Sequence, residues 1–292
     1  MMRRLSAALL ALGVCCGAAA APEKLPLLVV PEIAAPAIDG AIAPGEWNQS
    51  VTTGDFVASG DGSAITPATR VQLGCDDKNL FILYRCAEFA GSKLLQTRYQ
   101  YHDADIWYND SVELIFRPDP DREDYFQFLA DTLDQHYDAY ITDRAGYNPV
   151  WKSAWGRDGD GWILEIAIPF SAITRDPVAA GSVWQADFFR ARNQGTQLSA
   201  WTPVYGGHNQ IKNFGYLCFR SAKQAALNLT AFADALPEDI RKLDSDELKT
   251  LLARVAELKR EIAAGDEAFA AEHYQAWRVE LKQLADNVGQ LV

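Results

Sequence analysis

Methionine is almost missing from this 292-residue chain, and its two copies, Met1 and Met2, are the first two residues. Histidine is scarce as well: His102, His136, His208 and His273 stand singly, and lone histidines are read as surface or satisfied core residues. The sequence has no Gly-x-Ser-x-Gly, no phosphate-binding glycine loop and no His-Glu-x-x-His, so nothing marks a nucleophile, a nucleotide site or a zinc protease helix. After the first residues no run approaches the ~18 apolar residues of a membrane-spanning helix. Positive charge is the minority: 27 Lys and Arg against 39 Asp and Glu give a net charge of −12. A field of that sign repels a phosphate backbone and an anionic membrane surface, and it leaves a neutral ligand at ease.

The chain opens MMRRLSAALLALGVCCGAAAAPEKLP. Two arginines, a short apolar run and a stretch of small residues are the three parts of a secretory signal peptide, with cleavage expected near Ala20 or Ala21. The expected destination is the periplasm or the exterior. Cys75, Cys86 and Cys218 lie beyond the cleavage point, and an odd number excludes a fully paired disulfide framework. If Asp76 to Asn79 is a hairpin turn, Cys75 faces Leu80 and Cys86 faces Thr69, so these two cysteines are not direct partners. A bridge from either to Cys218, or three buried free thiols, both remain open.

Residues 22–220 show no long helical pattern. Short alternating or apolar runs recur at 70–75, 79–86, 111–116, 125–130, 136–142, 162–170, 183–190 and 214–219. Turn-forming clusters such as CDDKN, RPDPDRED and RDGDG separate them. This predicts a mainly β fold, an antiparallel β-sandwich. From Ser221 to Val292 the character changes: Leu248, Leu251, Leu252, Val255, Leu258 and Ile262 recur at helical spacing. Ser245 suits an N-cap and Gly265 a stop, and Asp266 opens a second amphipathic run through Phe269, His273, Trp277, Leu281 and Leu284. The expectation is a C-terminal α-helical hairpin over 221–292 that packs on the sandwich, self-associates or meets a protein partner.

Carboxylates are so common that pairs decide little. Glu113 and Glu165 follow apolar strand positions and are the pair a glycosidase would need facing one cleft, with solvated or ligand-orienting acids the better reading. Asp119, Asp121, Glu123 and Asp124 offer oxygens to a calcium ion without matching an EF-hand loop. RDGDGW, 157–162, reads as a hairpin turn. Tryptophan is the informative residue. Trp162 and Trp184 lie in apolar strand runs and read as core, and Trp47 as a cap on one end of the sandwich. Trp107 in IWYND and Trp201 in LSAWTPVYGGHN sit in polar, loop-like surroundings. A sugar ring has an apolar C–H face and a hydroxyl rim, which flat indoles and nearby acids, amides and arginines suit. Glu113, Arg190 and Arg192 are available for the rim.

IDGAIAPGEW (38–47) resembles the opening of carbohydrate-binding module family 9 and its wider DOMON-like relatives. TRVQLGCDDKNLFILYRC, WYNDSVELIFRPD, DYFQFLAD, GWILEIAIPFSAI, VWQADFFRAR, LSAWTPVYGGHN and NFGYLCF follow in the family's order, over about residues 29–220. The resemblance implies an antiparallel sandwich that binds an oligo- or polysaccharide and does no chemistry. It implies a sugar clamped between Trp107 and Trp201, oriented by Glu113 and Arg190, with calcium as structural support. One departure stands out: the strand after YFQFLAD, where the family has a second arginine, reads DTLDQHYDAY.

The leading expectation is therefore an exported, non-catalytic carbohydrate-binding protein. An envelope scaffold working through residues 221–292 is the second reading, and a polysaccharide-active enzyme a weaker third. Haem-binding sandwiches of related type commonly use Met, His or Lys as axial ligands. Loss of Met1 and Met2 with the signal peptide removes methionine ligation.

Overall fold

The computed structural model describes residues 24–192, 197–205 and 210–289; the signal peptide expected over 1–21 lies outside them. The strands are β1 (Leu27–Val30), β2 (Val51–Thr52), β3 (Val57–Ala58), β4 (Thr69–Cys75), β5 (Asn79–Cys86), β6 (Ser111–Arg117) and β7 (Phe126–Asp131). They continue as β8 (His136–Tyr140), β9 (Lys152–Asp158), β10 (Gly161–Pro169), β11 (Val183–Arg192), β12 (Gln197–Ala200) and β13 (Gly215–Phe219). Helices α1 (Ala222–Asp234), α2 (Glu238–Arg241), α3 (Asp246–Ala264) and α4 (Glu267–Gly289) follow.

Two sheets face each other. The larger has eight strands, with the path β1-β13-β11-β6-β7-β8 and β12 bridging β11 to β3; the smaller has five, β2-β4-β5-β10-β9. The fold is thus the expected sandwich followed by helices. One pair departs from the antiparallel rule: β1 runs parallel to β13.

Side-chain parity builds the core. Val112, Leu114 and Phe116 of β6, Trp184, Ala186 and Phe188 of β11, and Phe128 and Ala130 of β7 turn inward. They meet Leu80, Ile82 and Tyr84 of β5 and Trp162, Leu164 and Ile166 of β10. The near-continuous apolar runs NLFILY and WILEIAI have a second cause. The outer face of the small sheet is also covered, with Phe81, Leu83 and Ile163 packed beneath Ile33 and Trp47, and strands buried on both faces lose their alternation. Trp47 is fixed there because its Nε1 donates to Glu165 (3.1 Å).

The hairpin inferred at Asp76–Asn79 forms, placing Cys75 opposite Leu80 and Cys86 opposite Thr69. Cys75, Cys86 and Cys218 are all free and buried. Burial pushes the Cys75 thiol up to about 11 and those of Cys86 and Cys218 to about 12, which leaves them protonated and inert. Strand β8 stops two residues before the alternation of HYDAYIT suggests, because Ile141 turns into left-handed backbone (φ 59°).

The helices lie on the outer face of the large sheet at its β1–β13 end. Leu27, Val29, Val183 and Cys218 form one apolar cluster there with Leu251, Val255, Leu258, Trp277 and Leu281. Ser245 caps α3, its hydroxyl accepting from the Leu248 N–H (3.2 Å), and Gly265 ends it. The tail is more than a hairpin: α1, with buried Ala222, Ala225, Ala226 and Ala233, joins the same cluster. Asp121, between β6 and β7, pairs with Arg278 (2.8 Å) and Lys282 (2.7 Å) of α4. Among the described residues no helix is long and apolar enough to cross a membrane.

Candidate functional site

Outside the helices, the outer face of the large sheet is built from residues of opposite parity to the core. One register row crosses it. Phe189 of β11 lies opposite Glu113 of β6, Glu113 opposite Leu129 of β7, and Leu129 opposite Tyr137 of β8. The Trp107 ring meets the Tyr137 ring edge-on, with centroids 5.7 Å apart. Glu113 and Trp107 therefore stand on the same face. Two inter-strand steps of about 4.8 Å each separate Glu113 from Tyr137, on which Trp107 rests.

Trp107 belongs to a single 3-10 turn, Ile106–Tyr108. Ala104 and Ile106 anchor this segment by packing on Leu129, Tyr137 and Ala139. The turn leaves Trp107 half-buried and Tyr108, whose ring lies 6.0 Å from it, 55 % exposed. Beneath, the Asn109 amide bonds to Thr97 O and Asp131, so the base of the loop is held by a buried network. Glu113 is half-buried, and its Oε1 accepts from the Gln127 amide. Trp107, Tyr108, Glu113 and Gln127 keep solvent exposure in this region, while Phe189, Leu129 and Tyr137 of the row are buried.

The other two expected site residues lie elsewhere. Arg190 is opposite Val112, a core residue, so its register row runs along the inner face. It is 1 % exposed, and its guanidinium crosses to the small sheet. There it donates to Thr69 Oγ1 (3.0 Å), Ala87 O (3.0 Å) and Glu88, and lies over the Trp162 ring. Arg192 reaches the same Glu88 carboxylate (2.8 Å). Trp201 is 8 % exposed and belongs to the main core. Its ring packs 5.7 Å from Phe188 and so closely on Gly215 that a Cβ there would sit 2.5 Å from the indole. The expected sandwiching of a sugar between Trp107 and Trp201, with Arg190 on its rim, does not match this geometry. Trp107 and Glu113 face outward; Trp201 and Arg190 face the core.

One further expectation is corrected by its partners. Glu165 faces no cleft with Glu113. It is fully buried on the other sheet, taking hydrogen bonds from Trp47, Asp39 N and Gly40 N. In RPDPDRED, Asp119 caps its own turn by accepting from Asp121 N. Asp121 is taken by Arg278 and Lys282, and Asp124 by Arg122 and Tyr140. RDGDGW is a hairpin turn, with Asp158 opposite Gly161. His208 lies outside the described residues.

Tyr137 and Gln127 were missed in the sequence reading. Each sits at an outward position of its strand, Gln127 opposite Ile115 and Tyr137 opposite Leu129. Asp187, also of outward parity, is sealed from solvent and supports the 201–205 segment. It accepts from Thr202 N (3.1 Å) and lies 2.6 Å from Thr202 Oγ1. Burial pushes its carboxyl up to about 8. A protonated Asp187 can donate to Thr202, whose own proton then serves Asn213 O (2.9 Å).

Residues 38–202 match the family described as carbohydrate family 9 binding domain-like. No curated protein is matched. Among solved structures, a candidate carbohydrate-binding protein from Bacteroides uniformis shares 15 % identity, 67 % of this chain, 100 % of its own and a TM-score of 0.55. A carbohydrate binding module family 9 from Caldicellulosiruptor kristjanssonii, in complex with cellotriose, shares 13 % identity, 66 % of this chain, 93 % of its own and a TM-score of 0.49. The first of these is a likeness of fold, whereas the family match rests on sequence and spans more than half of the chain. The chain belongs to the carbohydrate family 9 binding domain-like family.

Proposed function

We propose that this protein is an exported, non-catalytic module that binds an oligosaccharide on the outer side of its large sheet. Trp107, with Tyr108 beside it, is the stacking platform, and Glu113 with Gln127 takes hydroxyls. Trp201 and Arg190 serve the site only from beneath, by holding β11 and the 201–205 segment in place. The supporting observation is the register row that brings Glu113 and the Trp107–Tyr137 pair onto one face. A ring that stacks and a charged acceptor on the same face are what orientation of a neutral, hydroxyl-rich ligand requires. The excess of acid over base suits such a ligand better than any anion.

Calorimetric titration of the full chain with glucose and cellotriose tests the reading. Trp107→Ala is expected to weaken binding at least about tenfold, and Glu113→Gln about tenfold through loss of a charged acceptor. Binding that survives both substitutions unchanged would place the sugar elsewhere.

A further inference from the structure

Strand β8 is the edge of the large sheet, and the segment before Trp107 runs along it. Asp103, in left-handed backbone (φ 58°), accepts from the Asp138 N–H through Oδ1 (3.1 Å). Its Oδ2 lies 3.1 Å from His102 Nδ1, and His102 Nε2 lies 3.7 Å from Asp138 Oδ2. One nitrogen of His102 and one oxygen of each carboxylate fall within 4.8 Å of one another. Asp138 has no exposed surface, and its Oδ2 accepts from Trp151 Nε1 (3.0 Å) while Oδ1 has no partner. A buried carboxylate oxygen without a donor is costly and calls for an explanation. Nearby groups do not supply one. His136 is turned to Ser153 Oγ (2.8 Å), and Arg144 donates to the Asp103 carbonyl and to Asp105.

We propose that His102, Asp103 and Asp138 bind a divalent transition cation of the zinc class. An imidazole and two carboxylates match the ligand types of that class. The two contacts use different ring nitrogens, Nδ1 toward Asp103 and Nε2 toward Asp138, so one nitrogen binds the cation together with an oxygen of each carboxylate, the three donor atoms lying within 4.8 Å of one another. Calcium asks for about six to eight oxygens, and this cluster offers a nitrogen and two side-chain carboxylates. The cation joins Asp138, on β8, to the start of the segment whose Ala104, Ile106 and Trp107 cover the outer face. It therefore closes an exposed sheet edge and fixes the base of the Trp107 loop.

The test uses the full chain without a histidine tag and Co2+ as the probe. One Co2+ per chain is expected, with visible ligand-field absorption that Zn2+ abolishes and millimolar Ca2+ leaves intact. His102→Ala changes a ring that is half in solvent, so the far-ultraviolet circular dichroism should stay unchanged. Its Co2+ affinity is expected to fall at least about tenfold. Asp138→Asn, of the same shape, should do the same. No stoichiometric uptake, equal uptake by His102→Ala, or displacement by Ca2+ would overturn the assignment. Metal uptake is read without sugar, so its outcome is separate from that of the sugar-binding proposal.

Discussion

Phe189 and Arg190 are consecutive on β11, yet one lies on the outer face and the other crosses the core to the opposite sheet. The difference is one step of strand parity. It turns an arginine expected at a ligand into half of a bolt between sheets, since Glu88 (3 % exposed at its side chain) receives both Arg190 and Arg192. Removing one partner of a buried ion pair leaves the other charged and unsolvated. Glu88→Ala is therefore expected to cost about 3–5 kcal/mol in urea unfolding, while the folded fraction keeps its sugar affinity. Full stability with lost affinity would return Arg190 to the ligand site. Trp201 illustrates a second limit of sequence reading: the polar neighbours in LSAWTPVYGG are real, but Gly215, which makes room for the indole, is far along the chain.

At the scale of elements, β6 was legible in DADIWYNDSVELIF because Val112, Leu114 and Phe116 alternate, and Glu113 does point away from the core. All eight runs read as strands are strands, within about two residues at each end. Two-residue strands such as β2 and β3 carry no period to detect, and β1 joins the sheet through a parallel pairing with β13 at the other end of the domain. In the tail, α3 announced itself through Ser245 and Gly265. Helix α1 did not, because its buried face is mostly alanine, which gives a weak apolar stripe. The docking of these helices makes a firm expectation. Truncation after Ser221 uncovers Leu27, Val29, Val183 and Cys218, and the shortened chain should associate or precipitate in size-exclusion chromatography. A monodisperse, soluble truncation would show that the helices are not a cover for this edge.

The whole molecule divides the outer face of its large sheet between two uses. The β1–β13 end is sealed by helices, and the β6–β8 end carries Glu113, Gln127, Tyr137 and the Trp107 turn. Composition pointed to a neutral ligand and the order of motifs to the family, but neither could say which tryptophan faces out, because that depends on pairings between distant strands. The metal cluster was hidden for the same reason: His102 and Asp103 meet Asp138 only across the β8 edge. The central claim, that sugar lies against Trp107, is tested most directly by titrating cellotriose into the 15N-labelled full chain. The indole N–H signals are followed, with that of Trp107 assigned by Trp107→Phe. The account predicts a saturable shift of the Trp107 signal and smaller movements for the buried Trp47, Trp151 and Trp201. Saturable binding that moves Trp201 and leaves Trp107 still would contradict it.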